Sequence, residues 1–383
     1  MCQGGVFMKI LFINLPYFGH VIPTIGLVQE LIKEGCEVTY MLPYDWEKRV
    51  QNSGAKFHGY KNHKQLAEQM KYAFNEAKTI IEDYDLVIYE QFFFIGKHLA
   101  QMYHKPCVRI FTAPVTNRKL MDEYIYSKGP LHIFQNKWIC KAFTKDITKG
   151  IALKTDNWLD EIIYNPPGLN LVYTLRAYQP YQEDFSDALY KFLGPSIYDR
   201  DEVLNYQKTN RPLIYISLGT VVSQGKHFFQ DCIEAFRNED VDVVMSVGSK
   251  FKIHQLKNVP SHIHVYPYVA QIEVLKQADV FVTHGGMNSI SEALVSQTPL
   301  VVIPFHSDQP VNARCVEKLK VGRHLNYSTL NKTNLNETVL SVLHDNDIKN
   351  HLIKVHEIIK VAPGNTGGVK YIIDYYHDYM NRL

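Results

Sequence analysis

The chain has 383 residues, of which 46% are apolar and 21% charged, and its formal net charge is +2. At roughly 100–200 residues per domain this length suggests two or three domains, and the ordinary apolar fraction supplies ample material for two cores. The near-neutral balance excludes a global field for nucleic acid, so an anionic substrate must be held by a local site.

In chain order, MCQGGVF lacks the basic leader and apolar core of a signal peptide, and Met8 offers an alternative start. A strand is expected over 9–15 (KILFINL), then a turn containing Gly19 and Pro23, a helix over about 21–33 ended by Gly35, and a strand over 36–42. Short loops around this strand–helix–strand unit imply a parallel sheet. Further strands are expected over 86–89 and 107–111, with a helical stretch over 94–103 between them. Residues 119–154 are rich in aromatics and lysine and read as poorly placed helices; 194–212 reads as a linker. Strands then recur over 213–218, 241–247, 264–266, 280–283 and 300–303, with helical stretches between most of them. The expectation is an α/β chain of two Rossmann-like domains, 1–200 and 201–383, with the last helix able to pack back on the first. In such folds ligands bind outside the carboxyl ends of the strands, and the cleft between halves is the natural site.

No run of 18 apolar residues occurs, so no membrane span is expected. The six cysteines are dispersed without a CxxC pair and read as reduced structural thiols of a cytoplasmic protein; no cluster has the ligand spacing of a metal site. The basic, aromatic stretch 132–145 (HIFQNKWICKAFTK) reads as an acceptor-side or lid helix in preference to a membrane-surface helix.

Several turns that follow strands have residues suited to a nucleotide sugar. In ADVFVTHGGMNSISEAL, His284-Gly285-Gly286 leads into a helix near Asn288. Glycines let the backbone approach a ligand, and the first helical N–H groups suit a diphosphate, with Asn288 and Ser289 adding hydrogen bonds. An equal reading is a plain strand–helix turn with a capping box from Ser289 to Glu292. Ser217-Leu218-Gly219-Thr220 is a second such turn. Tyr268-Val269-Ala270-Gln271 offers an aromatic plane beside polar groups for a base, or an interface tyrosine. Asp308-Gln309 suits sugar hydroxyls, or caps a helix at Ser307 or Asp308.

Taken in order, these elements resemble the UDP-sugar glycosyltransferase superfamily, glycosyltransferase family 1, and within it the bacterial macrolide-type enzymes. The specific core of the resemblance is THGGMNSISEAL, inside a signature from Tyr268 to Asn312. The resemblance implies the GT-B fold, a nucleotide-sugar donor, a small hydroxyl acceptor, and neither cofactor nor metal. It implies that His284, Gly286, Asn288 and Ser289 surround the diphosphate, with Gly219 and Thr220 approaching it from the other side. By the same resemblance Glu292 binds ribose hydroxyls, Asp308 and Gln309 hold the sugar, and Tyr268, Val269 and Gln271 meet the base. Tyr268 stands where the family usually has tryptophan, and Ala270 where proline is common. In the first half, Gly19-His20-Val21-Ile22-Pro23 matches the family's GHxxP turn, which implies that His20 is the general base. The family's supporting aspartate is replaced by Glu90, one methylene longer. Phe92, Phe93 and Phe94 either line an apolar acceptor pocket or pack the core.

Other chemistries find little support. Asp240-Val241-Asp242 and Asp345-Asn346-Asp347 match the DxD string of metal-dependent sugar transferases but read as surface. No GxGxxG follows the first strand, and no GxSxG or Walker A string occurs. A catalytically inactive nucleotide-sugar binder and a sugar epimerase of the same fold are the alternatives.

Overall fold

A computed structural model describes residues 8–125, 130–145, 147, 153–155, 157–198, 206–219, 225–306 and 308–383; at 125, 130, 131, 225 and 226 only the backbone is described. Thr220 and Ser307 lie outside these residues. The chain divides into two compact units, Met1–Tyr198 with Ala362–Leu383, and Asp199–Val361.

The first unit is built on a seven-stranded sheet of order β3-β2-β1-β4-β5-β6-β7. Its strands are β1 (Lys9–Ile13), β2 (Glu37–Pro43), β3 (Lys56–Tyr60), β4 (Leu86–Glu90), β5 (Cys107–Phe111), β6 (Leu169–Val172) and β7 (Tyr190–Phe192), all paired in parallel. The central strands are nearly continuous apolar runs because helices cover both faces. Alternation along the strands sorts the core into two layers. Ile10, Phe12, Leu86 and Ile88 pack on α1 (Phe18–Lys33) and the C-terminal helix, which contribute Val21, Ile25, Val28, Val369 and Ile372. Leu11, Ile13, Val87 and Tyr89 pack the other way, on α2 (Leu66–Ile80), α3 (Gly96–Met102) and a helix carrying Trp158 and Leu159. The helix over 94–103 thus forms as a shorter element, while α1 begins at Phe18. The expected Gly19–Pro23 turn is already helical: Val21 N–H reaches the Tyr17 carbonyl at 3.0 Å, and Pro23 costs only one later intrahelical donor.

Residues 119–154 include α4 (Lys137–Thr144), capped by the Asn136 side chain, and lead to α5 (Trp158–Tyr164), capped by Asn157. Phe134, Phe143 and Trp158 form one aromatic cluster, whereas Trp138 on the far side of α4 is 82% exposed.

The second unit has a six-stranded parallel sheet of order β10-β9-β8-β11-β12-β13. Its strands are β8 (Leu213–Ser217), β9 (Asp242–Ser246), β10 (Ile263–Tyr266), β11 (Val280–Thr283), β12 (Leu300–Val302) and β13 (Gly322–His324). Between and after them run α6 (Gly225–Phe236), α7 (Gln271–Leu275), α8 (Met287–Val295), α9 (Gln309–Lys318), α10 (Lys332–Leu343) and α11 (Asn346–Lys360). The C-terminal helix α12 (Gly364–Met380) packs on α1 in the first unit. Strand order reverses between β1 and β4 in the first sheet and between β8 and β11 in the second. Those are the switch points where open parallel sheets bind ligands.

The two DxD strings have structural uses, and one corrects the surface reading. Asp242 opens β9 fully buried, accepting from the Tyr206 hydroxyl at 3.1 Å and from Thr209. Asp345 caps α11 through the N–H groups of Asp347 and Ile348. Cys36, Cys107, Cys140, Cys232 and Cys315 are buried and unpaired. Among the described residues, no helix is long and apolar enough to cross a membrane.

Candidate active site

The first switch point brings together His20 and Glu90. Glu90 is the last residue of β4, in phase with Leu86 and Ile88, so strand alternation turns its carboxylate toward the α1 side. His20 sits in the first turn of α1, directly after β1. Its Nδ1 lies 2.8 Å from Glu90 Oε2. A carboxylate can only accept there, so Nδ1 carries the proton and Nε2 is left basic. The second carboxylate oxygen, Oε1, accepts the Phe92 N–H at 2.9 Å. Glu90 is buried completely, while the His20 side chain keeps 18% exposure. The imidazole stacks on Phe92, with centroids 5.0 Å apart, and meets Tyr17 at 5.4 Å. Burial, and then the Glu90 carboxylate, push the Tyr17 hydroxyl above its ordinary value.

Beneath this pair lies a polar group that sequence reasoning missed. Asn14, fully buried after β1, donates to the His20 carbonyl at 3.1 Å and to the Tyr40 hydroxyl at 2.8 Å. Its own carbonyl accepts from Tyr60 at 2.8 Å, and Thr24 meets Tyr40 at 2.7 Å. The partners come from three other elements, so no local spacing signals them. They fix the backbone that carries His20.

The second switch point gathers Gly219 after β8 and the His284-Gly285-Gly286 turn after β11. Gly219 and Gly285 adopt left-handed φ values of 70° and 85°. A Cβ on Gly219 would lie 2.6 Å from the His284 ring, and one on Gly286 would also lie 2.6 Å from it. The imidazole is therefore seated between two glycines that leave the turn open. Burial, and then the neighbouring His306, lower the His284 pKa to about 4. At neutral pH the ring is uncharged and offers one N–H donor.

Gly286 is the N-cap of α8 and no side chain caps the helix. The Ser289–Glu292 capping box, the alternative reading of this turn, is not formed, because Ser289 lies inside the first turn and both residues face Gln271. The Gln271 amide donates to Glu292 Oε2 at 2.6 Å and to Ser289 Oγ at 3.3 Å. The first N–H groups of α8, including those of Asn288 and Ser289, have no carbonyl one turn back within the helix. Together with the dipole they make a region of positive potential.

Tyr268 is 54% exposed and precedes the buried Val269. Asp308 occupies the N-cap of α9 but does not cap it; its carboxylate accepts from Asn312 at 3.0 Å. The Gln309 amide oxygen accepts from the N–H groups of Phe305 and His306 at 2.8 and 3.2 Å, leaving its NH2 for other partners. Asn312, also missed, donates to the Gly285 carbonyl at 2.8 Å and so ties α9 to the His284 turn. The acceptor-pocket reading of three phenylalanines needs correction. Phe93 and Phe94 are 0% and 4% exposed within the core cluster, and only Phe92 stands beside His20.

A family model for UDP-glucoronosyl and UDP-glucosyl transferase matches residues 200–365. YojK of Bacillus subtilis, named as an uncharacterized UDP-glucosyltransferase, is 31% identical over 398 residues, spanning 96% of this chain and 97% of its own length. This chain belongs to the UDP-glycosyltransferase family. It is a glycosyltransferase, and other members are similar to it along nearly all its length. The oleandomycin glycosyltransferase of Streptomyces antibioticus is 25% identical over 88% of this chain and 84% of its own. In three dimensions the chain resembles a glycosyltransferase of kitacinnamycin, with a TM-score of 0.84 at 24% identity over 96% of this chain and 98% of that one. The fold is that of the GT-B glycosyltransferases.

Proposed function

We propose that this glycosyltransferase moves a hexose, glucose, from a UDP-sugar to a hydroxyl of a small apolar acceptor such as a natural product, with inversion and without a metal. The observation that carries this reading is the His20–Glu90 pair, a 2.8 Å contact to a fully buried carboxylate. His20 Nε2 takes the acceptor proton, and Glu90 stabilises the imidazolium that forms. The acceptor oxygen attacks the anomeric carbon from the face opposite the nucleotide, and the carbon–diphosphate bond breaks. Negative charge on the leaving diphosphate meets the N–H groups at the start of α8 and the neutral His284 donor. Preorganised donors of this kind stabilise a leaving anion without reorganising during the reaction. Glu292 holds the ribose, Tyr268 stacks on the base, and the Asp308 carboxylate with the Gln309 NH2 serves the sugar. Relatives named for oleandomycin and for UDP-glucose transfer support the acceptor and donor classes.

The test is His20→Ala assayed with UDP-glucose and a phenolic acceptor. Transfer falls to background while UDP affinity holds. Loss of both, or retained transfer, overturns the assignment of His20 as base.

A further inference from the structure

Tyr215 lies in the middle of β8, away from every turn that meets the donor in this reading, yet its hydroxyl leads into the site. Its ring is buried and stacks on its register partner Phe281 of β11, with centroids 4.7 Å apart and planes 9° apart. Its hydroxyl donates to Gln271 Oε1 at 3.0 Å. The other end of that amide is 2.6 Å from Glu292 Oε2 and 3.3 Å from Ser289 Oγ. So close to a carboxylate oxygen, only the NH2 end is tolerated, and Tyr215 supplies the donor that the opposite end then requires. Both ends of the Gln271 amide are thus engaged within the protein. The chain Tyr215–Gln271–Glu292 runs from the sheet to a carboxylate on α8.

We infer that Tyr215 is a positioning residue that acts through Gln271 to aim Glu292, and so sets how strongly the site demands the ribose 2′-hydroxyl. The inference rests on reading Glu292 as the ribose ligand. Gln271 then serves as a relay, in place of the base contact expected from sequence. A site built to hydrogen-bond a hydroxyl rejects the analogue lacking it, because its polar groups are left unpaired. That rejection depends on the carboxylate holding one orientation. Without the tyrosine hydroxyl the amide is anchored at one end only, and Glu292 turns more freely.

The experiment measures dissociation constants of UDP and 2′-deoxy-UDP by calorimetry for the wild type, Tyr215→Phe, Gln271→Leu, Tyr215→Phe/Gln271→Leu and Glu292→Ala. No acceptor is needed, and phenylalanine keeps the stack on Phe281. Wild type prefers UDP by about tenfold or more. In Tyr215→Phe the preference narrows to about threefold with the unfolding temperature unchanged, and the double variant loses no more than Gln271→Leu, as members of one relay should. If Tyr215→Phe keeps the wild-type preference while Glu292→Ala abolishes it, the relay is wrong and the ribose reading stands. If Glu292→Ala itself keeps the preference, Glu292 is not the ribose ligand and both fall.

Discussion

The supporting carboxylate of the His20 pair is a glutamate, and its extra methylene has a use. One oxygen reaches His20 Nδ1 while the other takes the Phe92 N–H, so the side chain bridges the end of β4 and the start of α1. Glu90→Gln keeps the size but removes the charge that stabilises an imidazolium, and it lets the wrong tautomer form. Turnover is expected to fall about 10²- to 10⁴-fold at unchanged UDP affinity. Glu90→Asp keeps the charge but withdraws it, and should cost about tenfold in kcat; parity with wild type in steady-state assays would show that reach is unimportant. This pair was legible only through the family resemblance, since GHxxP and the carboxylate position after β4 carry it while an isolated histidine at a helix start reads as structural. The Asn14–Tyr40–Tyr60 support was not, since its members are far apart in the chain and each alone reads as an ordinary strand or loop residue. The roles of Phe93 and Phe94 were equally hidden, because an apolar run after a strand reads the same for a pocket wall and for a core.

The inner strands were legible as elements except β6, and of the edge strands only β10 was expected. The runs at β1, β5, β8 and β11 are mostly apolar because helices cover both faces, with Lys9 opening β1, the buried Arg109 within β5, and Ser217 and Thr283 closing β8 and β11. KFHGY at β3, YKF at β7 and GRH at β13 lie at sheet edges, where polar residues are tolerated and no clear pattern survives. The start of α1 was obscured by Gly19 and Pro23, which signal a turn locally but are accommodated in the first and second helical turns. The segment between β5 and β6 was harder still, because its helices are fixed by distant polar partners. Glu161 on α5 accepts from His98 of α3 at 2.7 Å, from Asn165 at 2.6 Å and from the Thr155 N–H at 2.9 Å. Burial alone raises its pKa, but the bonds from His98, Asn165 and Thr155 outweigh it and lower the value from 4.5 to about 2. Between those two values the unfolded chain binds the proton and the folded chain does not, so acid favours unfolding. The stabilisation is whole above the ordinary carboxyl range and is lost as pH falls toward 2. Glu161→Gln should therefore lower the unfolding temperature at pH 7, and the gap to wild type should close as pH falls from 5 to 3. A gap that is constant with pH would assign the loss to packing instead.

At the scale of the whole molecule, the proposed mechanism allots binding and proton transfer to different compact units. Every residue assigned to the donor lies within Asp199–Val361, and the acid–base pair lies in the unit formed by Met1–Tyr198 and Ala362–Leu383. The sheet that carries each set of residues is complete within its own unit. A ligand that binds only the folded state stabilises it by RT ln(1 + [L]/Kd), about 2.7 kcal/mol at a hundredfold excess over Kd. For a unit of 150–250 residues, that energy raises the unfolding temperature by roughly 5 °C or more. UDP should produce this shift in the wild type and undiminished in His20→Ala, whose folded donor site is untouched. In Glu292→Ala the shift at the same UDP concentration should shrink, because the ribose loses a charged partner, while residual transfer recovers as UDP-glucose is raised. Differential scanning calorimetry with and without UDP separates the cases. A shift lost in His20→Ala would mean that the nucleotide depends on the first unit, and the division of labour would have to be abandoned.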